Sequence, residues 1–140
     1  MGELILRGKV VIPGEAQGEA LVSREPLSFW GGYDWKTGEI IDRRHMLSGA
    51  VAAGKIFAVP FTRGSSTTTA VLLEAIRAKT APAAIITTET DFFFALASVV
   101  AGELYNLPLP LVALEEADFA KLKSGDAVCI ALDGTVTVLS

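Results

Sequence analysis

The chain has 140 residues, of which 51% are hydrophobic, and a formal net charge of −4. This length predicts one domain, over residues 1–140, with a single core. The acidic balance, with no cluster of Lys and Arg, argues against nucleic acid and anionic membranes as partners. No apolar run approaches the roughly 18 residues of a membrane span, and the N-terminus lacks a leader pattern, so a cytoplasmic protein is expected.

The apolar content carries a second expectation. A mean hydropathy of +0.45 is high for a soluble domain. Part of the apolar surface is therefore expected to be covered by a partner protein, which indicates a subunit of a larger assembly.

The first half of the chain predicts a β-rich start followed by a βα unit. Residues 4–12 and 19–24 have the pattern of two strands around a Gly-rich turn, and 55–60 is a strand that leads into a helix over 70–79. Between them, residues 28–49 are irregular and hold both tryptophans and the only histidine. That composition is typical of a functional loop.

The second half continues the alternation of strands and helices. A long apolar helix is predicted from an Asp91 N-cap through Tyr105, ending at Asn106. The other predicted elements are strands over 83–87, 111–114, 127–132 and 135–139 and a short helix over 115–123. The order predicts an α/β fold in which parallel strands carry helices on one face and a second β layer on the other.

Two sets of apolar residues in these elements are assigned to the core. Cys129 lies within a predicted strand and is expected to be a small buried residue. Phe92, Phe93 and Phe94 open the long helix and are expected to pack inside. One cysteine and one histidine cannot hold a metal or a cluster unaided, so no metal site is expected in this chain.

The strongest functional signal is a run of hydroxyl side chains where a strand gives way to a helix. A helix start offers free backbone N–H groups and the positive end of the helix dipole, which suit an anion. The run comprises Arg63, Gly64, Ser65, Ser66 and the three threonines 67–69. The residues support two interpretations, an anion-binding or catalytic loop and an N-cap supplied with more hydroxyls than it needs.

A nucleotide site is not supported by the nearest motif. Residues 49–55 fit the first seven positions of a phosphate-binding loop, but Ile56 stands where Ser or Thr would hold magnesium. The segment also leads into a strand, whereas a phosphate-binding loop leads into a helix.

Four segments together resemble the small subunit of the aconitase X family, which is equivalent to the swivelling domain of aconitase. They contain Trp-Gly-Gly, Ile-Asp-Arg-Arg-His, Arg-Gly-Ser-Ser and Ala-Pro-Ala-Ala, and they span residues 26–34, 37–45, 63–66 and 81–84. The resemblance implies a three-layer β/β/α swivelling domain. It also implies a large subunit as partner, which would carry an iron or iron–sulfur centre, and no cofactor in this chain.

The resemblance assigns the catalytic role to Ser65, as the general base that removes the substrate proton, with Ser66 as the second candidate. Substrate-binding roles are implied for residues of the hydroxyl run and of the 28–49 loop, namely Arg63, Gly64, Ser66, Thr67, Gly32, Asp34, Arg44 and His45. A closed, dry site with backbone donors and a nearby cation can stabilise a serine alkoxide.

Two activities occur in such proteins, and a third function is open. The segments 41–45 and 87–97 resemble those of family members that dehydrate cis-3-hydroxy-L-proline more than those of members that dehydrate mevalonate 5-phosphate. A phosphorylated substrate would suit the hydroxyl run equally well. Swivelling β/β/α domains also serve as mobile carriers. A carrier of that kind would use a phosphorylated histidine, for which His45 is the only candidate.

Overall fold

The computed structural model describes residues 2–63 and 66–139. Over these residues the chain forms eight strands and three helices. In chain order they are β1 Glu3–Arg7, β2 Lys9–Ile12, β3 Ala16–Val22, β4 Ile56–Ala58, α1 Ser66–Ala78, β5 Ala84–Thr87, α2 Phe92–Tyr105, β6 Leu111–Ala113, α3 Glu116–Phe119, β7 Ala127–Ile130 and β8 Thr135–Leu139.

The strands follow the order β1-β8-β7-β3-β4-β5-β6-β2. Strands β3, β4, β5 and β6 are parallel, whereas β1, β8, β7 and β3 pair antiparallel, as do β2 and β6. The long strand β3 belongs to both layers, because residues 16–19 pair with β7 and residues 20–22 pair with β4. One strand therefore joins the antiparallel layer to the parallel layer.

Gly8 explains why the single strand predicted over residues 4–12 forms two strands, β1 and β2. The sequence predicts a single strand over 4–12, but β1 and β2 lie at opposite ends of the strand order. Gly8 N–H donates to the Gly134 carbonyl over 3.0 Å, and a Cβ at Gly8 would lie 2.1 Å from Val112 Cγ1. A glycine here lets the chain cross between layers at close approach, which no other residue would allow without a shift.

Alternate residues of the parallel strands enter two different cores. In β5, Ile85 faces the helices and Ile86 faces the antiparallel layer, and both are fully buried. The helix-side core packs α1, α2 and the 28–49 loop on one face of the sheet, and the inter-sheet core fills the space between the two β layers. Burial on both faces is typical of parallel strands. The predicted β/β/α three-layer architecture is confirmed.

The bounds predicted from local sequence signals hold for α2 and differ from the structure for α1 and α3. Helix α2 has the predicted Asp91 N-cap, and Asn106 ends it in the left-handed conformation at φ 55°. Helix α1 begins at Ser66, earlier than predicted, so residues 66–69 form its first turn. Helix α3 is shorter than predicted, because the chain passes into turns after Phe119.

Two core assignments are wrong. Cys129 is exposed, because β7 alternates and only Val128 and Ile130 point into the inter-sheet core. Phe92 is 67% exposed, whereas Phe94 is fully buried, because the two side chains leave the helix in different directions. The outer face of α2 is therefore apolar.

Candidate active site

The polar segments of this domain meet at one edge of the parallel layer. Strands β3, β4 and β5 run parallel, so their carboxyl ends share that edge. The segments that follow them are residues 23–25, 59–63 and 88–91. Open α/β sheets bind ligands outside the carboxyl ends of their strands, and we call this side of the molecule the carboxyl edge.

A cleft of about 510 Å³ opens at the carboxyl edge. It brings together three of the predicted substrate-binding residues, Arg44, His45 and Arg63, although the last is 18 positions from its neighbour in sequence. Three arginines and two carboxylates line it, which gives a small excess of positive charge. The full lining is Glu25, Pro26, Ser28, Asp42, Arg43, Arg44, His45 and Arg63.

Residues 42–45 form a tight turn that presents two of the arginines, and we call it the arginine turn. Asp42 Oδ1 accepts a hydrogen bond from Arg44 N–H at 3.0 Å, and the Asp42 carbonyl accepts from His45 N–H at 3.1 Å. Arg43 and Arg44 are exposed, whereas His45 is buried. The turn thus offers guanidinium groups to an anion while its histidine points inward.

His45 ties the arginine turn to the end of β3. Its Nδ1 accepts from Leu47 N–H at 3.1 Å, so Nε2 carries the proton in the neutral ring. Nε2 lies 3.2 Å from Ser23 Oγ and 3.7 Å from Glu25 Oε1. Ser23 Oγ in turn donates to the Glu25 carbonyl. Both ring nitrogens therefore have partners within the protein, and the side chain is 7% exposed.

Arg63 reaches the cleft from the segment after β4, which is held on two sides. Arg63 N–H donates to the Leu27 carbonyl at 3.0 Å, and Thr62 forms a parallel bridge with Leu27. Thr62 also donates from its backbone N–H and its hydroxyl to Asp91 Oδ2, over 2.8 and 2.9 Å. The arginine side chain is exposed on an anchored backbone.

The hydroxyl run divides into structural and exposed members. Thr68 is 1% exposed and therefore buried, and Thr69 Oγ1 donates to the Phe93 carbonyl at 3.0 Å, which attaches α1 to α2. Ser66 is exposed and Thr67 is half-buried. The predicted catalytic Ser65 and its neighbour Gly64 lie outside the described residues, directly after Arg63. Their roles, and those of Ser66 and Thr67, stay predictions.

Gly32 and Asp34 are not among the residues that line the cleft. The Gly32 carbonyl accepts from Ile41 N–H at 2.9 Å, and a Cβ at Gly32 would lie 2.1 Å from the Ser28 carbonyl oxygen. Asp34 Oδ1 accepts from Lys36 N–H at 2.9 Å. Both residues shape the loop behind the cleft, and contact of either with a substrate stays a prediction.

The loop behind the cleft is anchored to the helix layer by Tyr33. Its ring stacks on Phe29 with centroids 4.8 Å apart, and its hydroxyl donates to the Thr80 carbonyl at 2.8 Å. Burial raises the pKa of the Tyr33 phenol well above its usual range. Tyr33 therefore stays protonated and acts as a structural donor.

Several residues at the carboxyl edge were not identified from the sequence. Ser23, Glu25 and Thr62 were not singled out, because nothing local distinguishes them from residues at strand ends elsewhere. One signal could have found them. Polar residues in the segments after buried parallel strands are gathered at one edge, and all three lie within four residues of a strand end.

Neither a metal-binding cluster nor a membrane-spanning helix accompanies this site among the described residues. Among the residues that the structure describes, no group of three or more His, Cys, Asp or Glu side chains could hold a metal ion. Within the same residues, no helix is long and apolar enough to cross a membrane.

The three-layer β/β/α fold is the architecture of a swivelling domain, and here it carries a cleft lined by three arginines. The family model of the aconitase X swivel domain matches residues 5–138, and the chain belongs to that family. The crystal structure of Thermococcus kodakaraensis aconitase X in its holo form superposes with a TM-score of 0.86 at 34% identity, covering 98% of this chain and 99% of that one.

Two relatives bear names of different enzymes. The chain is 45% identical over 108 residues to cis-3-hydroxy-L-proline dehydratase of Pseudomonas aeruginosa, covering 77% of this chain but only 19% of that protein. It is 39% identical over 135 residues to the phosphomevalonate dehydratase small subunit of Thermococcus gammatolerans, covering 96% of this chain and 97% of that subunit. The chain thus spans about a fifth of one relative and nearly all of the other.

Proposed function

We propose that this chain is the small, swivelling subunit of a cytoplasmic aconitase X hydro-lyase that dehydrates a hydroxy acid, with cis-3-hydroxy-L-proline as the favoured substrate. The observation that carries the proposal is the cleft at the carboxyl edge, where Arg44, His45 and Arg63 converge in a chain of this family. The identity of 45% to the Pseudomonas aeruginosa hydroxyproline dehydratase, against 39% to the Thermococcus gammatolerans small subunit, supports the choice of substrate.

The reaction needs a base and an anion site from this chain. Elimination of water removes a proton from one carbon while the hydroxyl leaves its neighbour, and the electrons of the C–H bond form the new double bond. Ser65 is assigned the base on the resemblance to the aconitase X family, and the chemistry agrees, since backbone donors and a guanidinium can stabilise a serine alkoxide in a closed site. Arg44 and Arg63 are assigned the substrate carboxylate, which guanidinium groups bind through paired hydrogen bonds.

The proposed iron or iron–sulfur centre is assigned to a large subunit. The donor chemistry of this chain does not fit such a group, since Cys129 is exposed on the antiparallel layer, where it contacts Gln17, and His45 is buried at the carboxyl edge. No step of the reaction is therefore assigned to a metal bound by this chain.

The apolar outer face of α2 supports a large partner protein, and this face begins at the carboxyl edge. Phe92, Leu96 and Val99 are exposed on this face, and exposed apolar patches of this kind mark protein–protein interaction sites. Phe92 directly follows Asp91, whose carboxylate holds Thr62 beside the cleft. A large subunit that closes over the cleft would cover this face as well.

A second substrate, mevalonate 5-phosphate, is favoured by a different observation. The relatives that this chain matches over nearly their whole length are phosphomevalonate dehydratase small subunits, including that of Thermococcus gammatolerans at 97% of its length. Three arginines around one cleft would also suit a phosphate group.

The carrier alternative is disfavoured by the surroundings of His45. A phosphoryl acceptor needs an accessible ring nitrogen, whereas Nδ1 accepts from Leu47 N–H and Nε2 faces Ser23 and Glu25. Phosphorylation would have to break this buried network.

Reconstitution tests the proposal. The chain is mixed anaerobically with the large subunit from the same genome in iron-loaded form, and each substrate is offered to the mixture and to each subunit alone. We expect a stable complex and turnover of cis-3-hydroxy-L-proline by the mixture only. Turnover of mevalonate 5-phosphate instead would select the second substrate. Absence of a complex, or turnover by this chain alone, would contradict the proposed function.

A further inference from the structure

Asp91 has more hydrogen bonds than a helix cap requires. Its Oδ1 accepts from the backbone N–H groups of Phe93 and Phe94, at 3.0 and 3.2 Å, and this satisfies the start of α2. Its Oδ2 accepts two further bonds, from the backbone and the hydroxyl of Thr62. One carboxylate thus joins the start of α2 to the segment that leads into the cleft.

This connection is buried. Asp91 is 9% exposed and Thr62 is 6% exposed, so water does not compete freely for the four bonds. Hydrogen bonds to a charged acceptor are about twice as strong as neutral ones. Loss of the carboxylate would leave the Thr62 backbone N–H buried without its acceptor.

Neighbouring contacts fix the same segment from both directions. Before Thr62, the Pro60 carbonyl accepts from the backbone and the hydroxyl of Thr88, each at 3.0 Å. After it, Arg63 N–H is held by Leu27, and Thr69 in the first turn of α1 is bonded to Phe93. Among these hydrogen bonds of the described residues, only those of Asp91 join Thr62 to the start of α2.

We propose that Asp91 is a positioning residue for the cleft: it holds Thr62, and through it the backbone of Arg63, in the position where the guanidinium can meet the substrate. The proposal rests on the proposed function for its catalytic consequence. Asp91 does not touch the substrate. Its effect passes through Thr62 to Arg63 and to the predicted base that follows.

Two variants separate this role from helix capping. Asp91→Asn keeps an oxygen for Phe93 and Phe94, because Asn caps helices as well as Asp does, but turns an amide N–H₂ toward the Thr62 N–H. Thr62→Val leaves the cap intact and removes only the hydroxyl bond. The control is Ser98→Ala, which removes a buried hydroxyl that bonds Leu109 twice, at 2.7 Å each, from the far side of α2.

The first measurement is residue-specific amide exchange by NMR on the full chain. In Asp91→Asn we expect the Thr62 and Arg63 amides to exchange at least about tenfold faster than in Ser98→Ala, with the amides of α2 alike in both. Thr62→Val should show a smaller change in the same direction. Equal exchange of Thr62 and Arg63 in Asp91→Asn and the control would overturn the proposal.

The second measurement is kcat and KM of the reconstituted complex. A displaced segment should lower kcat/KM by about 10²-fold in Asp91→Asn, while Ser98→Ala stays within about twofold of wild type. Faster exchange with unchanged kcat/KM would overturn the positioning role. If the wild-type complex is inactive on both substrates, the proposed function fails, and the exchange result alone decides whether Asp91 holds the segment.

Discussion

The two cores of this domain differ in what they bury. The inter-sheet core is formed by aliphatic side chains and Phe119. The helix-side core contains Phe29, Tyr33, Phe57 and Phe94 and borders the buried polar groups. Of the buried polar residues that the structure describes, all but Ser98 lie at the carboxyl edge or in the first turn of α1, namely Ser23, His45, Thr62, Thr68, Thr87 and Asp91.

This separation indicates that the inter-sheet core and the carboxyl edge have different roles. Apolar burial stabilises the fold without specifying the position of any single group, whereas buried hydrogen bonds fix positions and are costly when broken. At the carboxyl edge, buried hydrogen bonds fix the positions of individual side chains. Changes in the inter-sheet core should therefore reduce stability, and changes at the carboxyl edge should reduce activity.

The largest expected effect is on activity. Ser65→Ala should lower kcat of the reconstituted complex by about 10²- to 10⁴-fold, because it removes the proposed base, with little change in the free energy of unfolding. Ser66→Ala, at the second candidate for the base, is the comparison variant. A larger loss in Ser66→Ala than in Ser65→Ala would transfer the role of base to Ser66.

The inter-sheet core should show the opposite behaviour. Ile86→Ala should reduce the free energy of unfolding by about 3 kcal/mol, because it leaves a cavity at a fully buried site between the layers. Denaturant unfolding measures this value. The kcat of the folded complex should stay close to wild type, and a kcat loss as large as that of Ser65→Ala would break the division between the two regions.

His45 should affect both properties moderately. His45→Ala leaves the Leu47 N–H and Ser23 without their partner, so we expect a loss of about 2 kcal/mol in the free energy of unfolding. We also expect about a tenfold loss in kcat/KM, because the arginine turn loses one of its attachments to the segment that follows β3. Exposed Ser48→Ala is the control. Recovery of a phosphohistidine from the wild-type protein would contradict this account and favour the carrier.

Tyr33 should give a small effect with a distinctive pH dependence. Tyr33→Phe removes the bond to the Thr80 carbonyl and should cost about 1 kcal/mol at neutral pH. Since burial raises the pKa of Tyr33 in the folded protein, its contribution is fully present below the unfolded value near 10 and is lost as pH rises above that value. Unfolding measured between about pH 8 and 11 should show this alkaline loss in wild type and in Tyr105→Phe, but less of it in Tyr33→Phe.

Most of the fold could be predicted because its signals are local. The caps of α2 at Asp91 and Asn106 and the alternation of strands and helices are each contained within a few residues. The errors arose where the outcome depends on a distant partner. Gly8 divides a predicted strand because Val112 and Gly134 approach it, and Cys129 is exposed because the register of β7 with β3 and β8 sends its neighbours inward.

The sequence predicted several residues of the site but not the hydrogen bonds that hold them in place. Arg63 was found from the local chemistry of the hydroxyl run, and Arg44 and His45 from a family resemblance. The structure brings all three to one cleft. The bonds that hold them there join Ser23 to His45 and Thr62 to Asp91, which are 22 and 29 positions apart. Contacts over such separations depend on the folded sheet and cannot be read from local patterns.

The most direct test of the account compares two arginines in the reconstituted complex. Arg63 lines the cleft, whereas Arg77 is exposed in the last turn of α1 and pairs with Glu74 at 2.8 Å. We expect Arg63→Ala to lower kcat/KM for cis-3-hydroxy-L-proline by about 10²-fold or more, with unfolding unchanged, and Arg77→Ala to remain within about twofold of wild type. Equal activity of the two variants would contradict the claim that the carboxyl edge is the catalytic side of this domain.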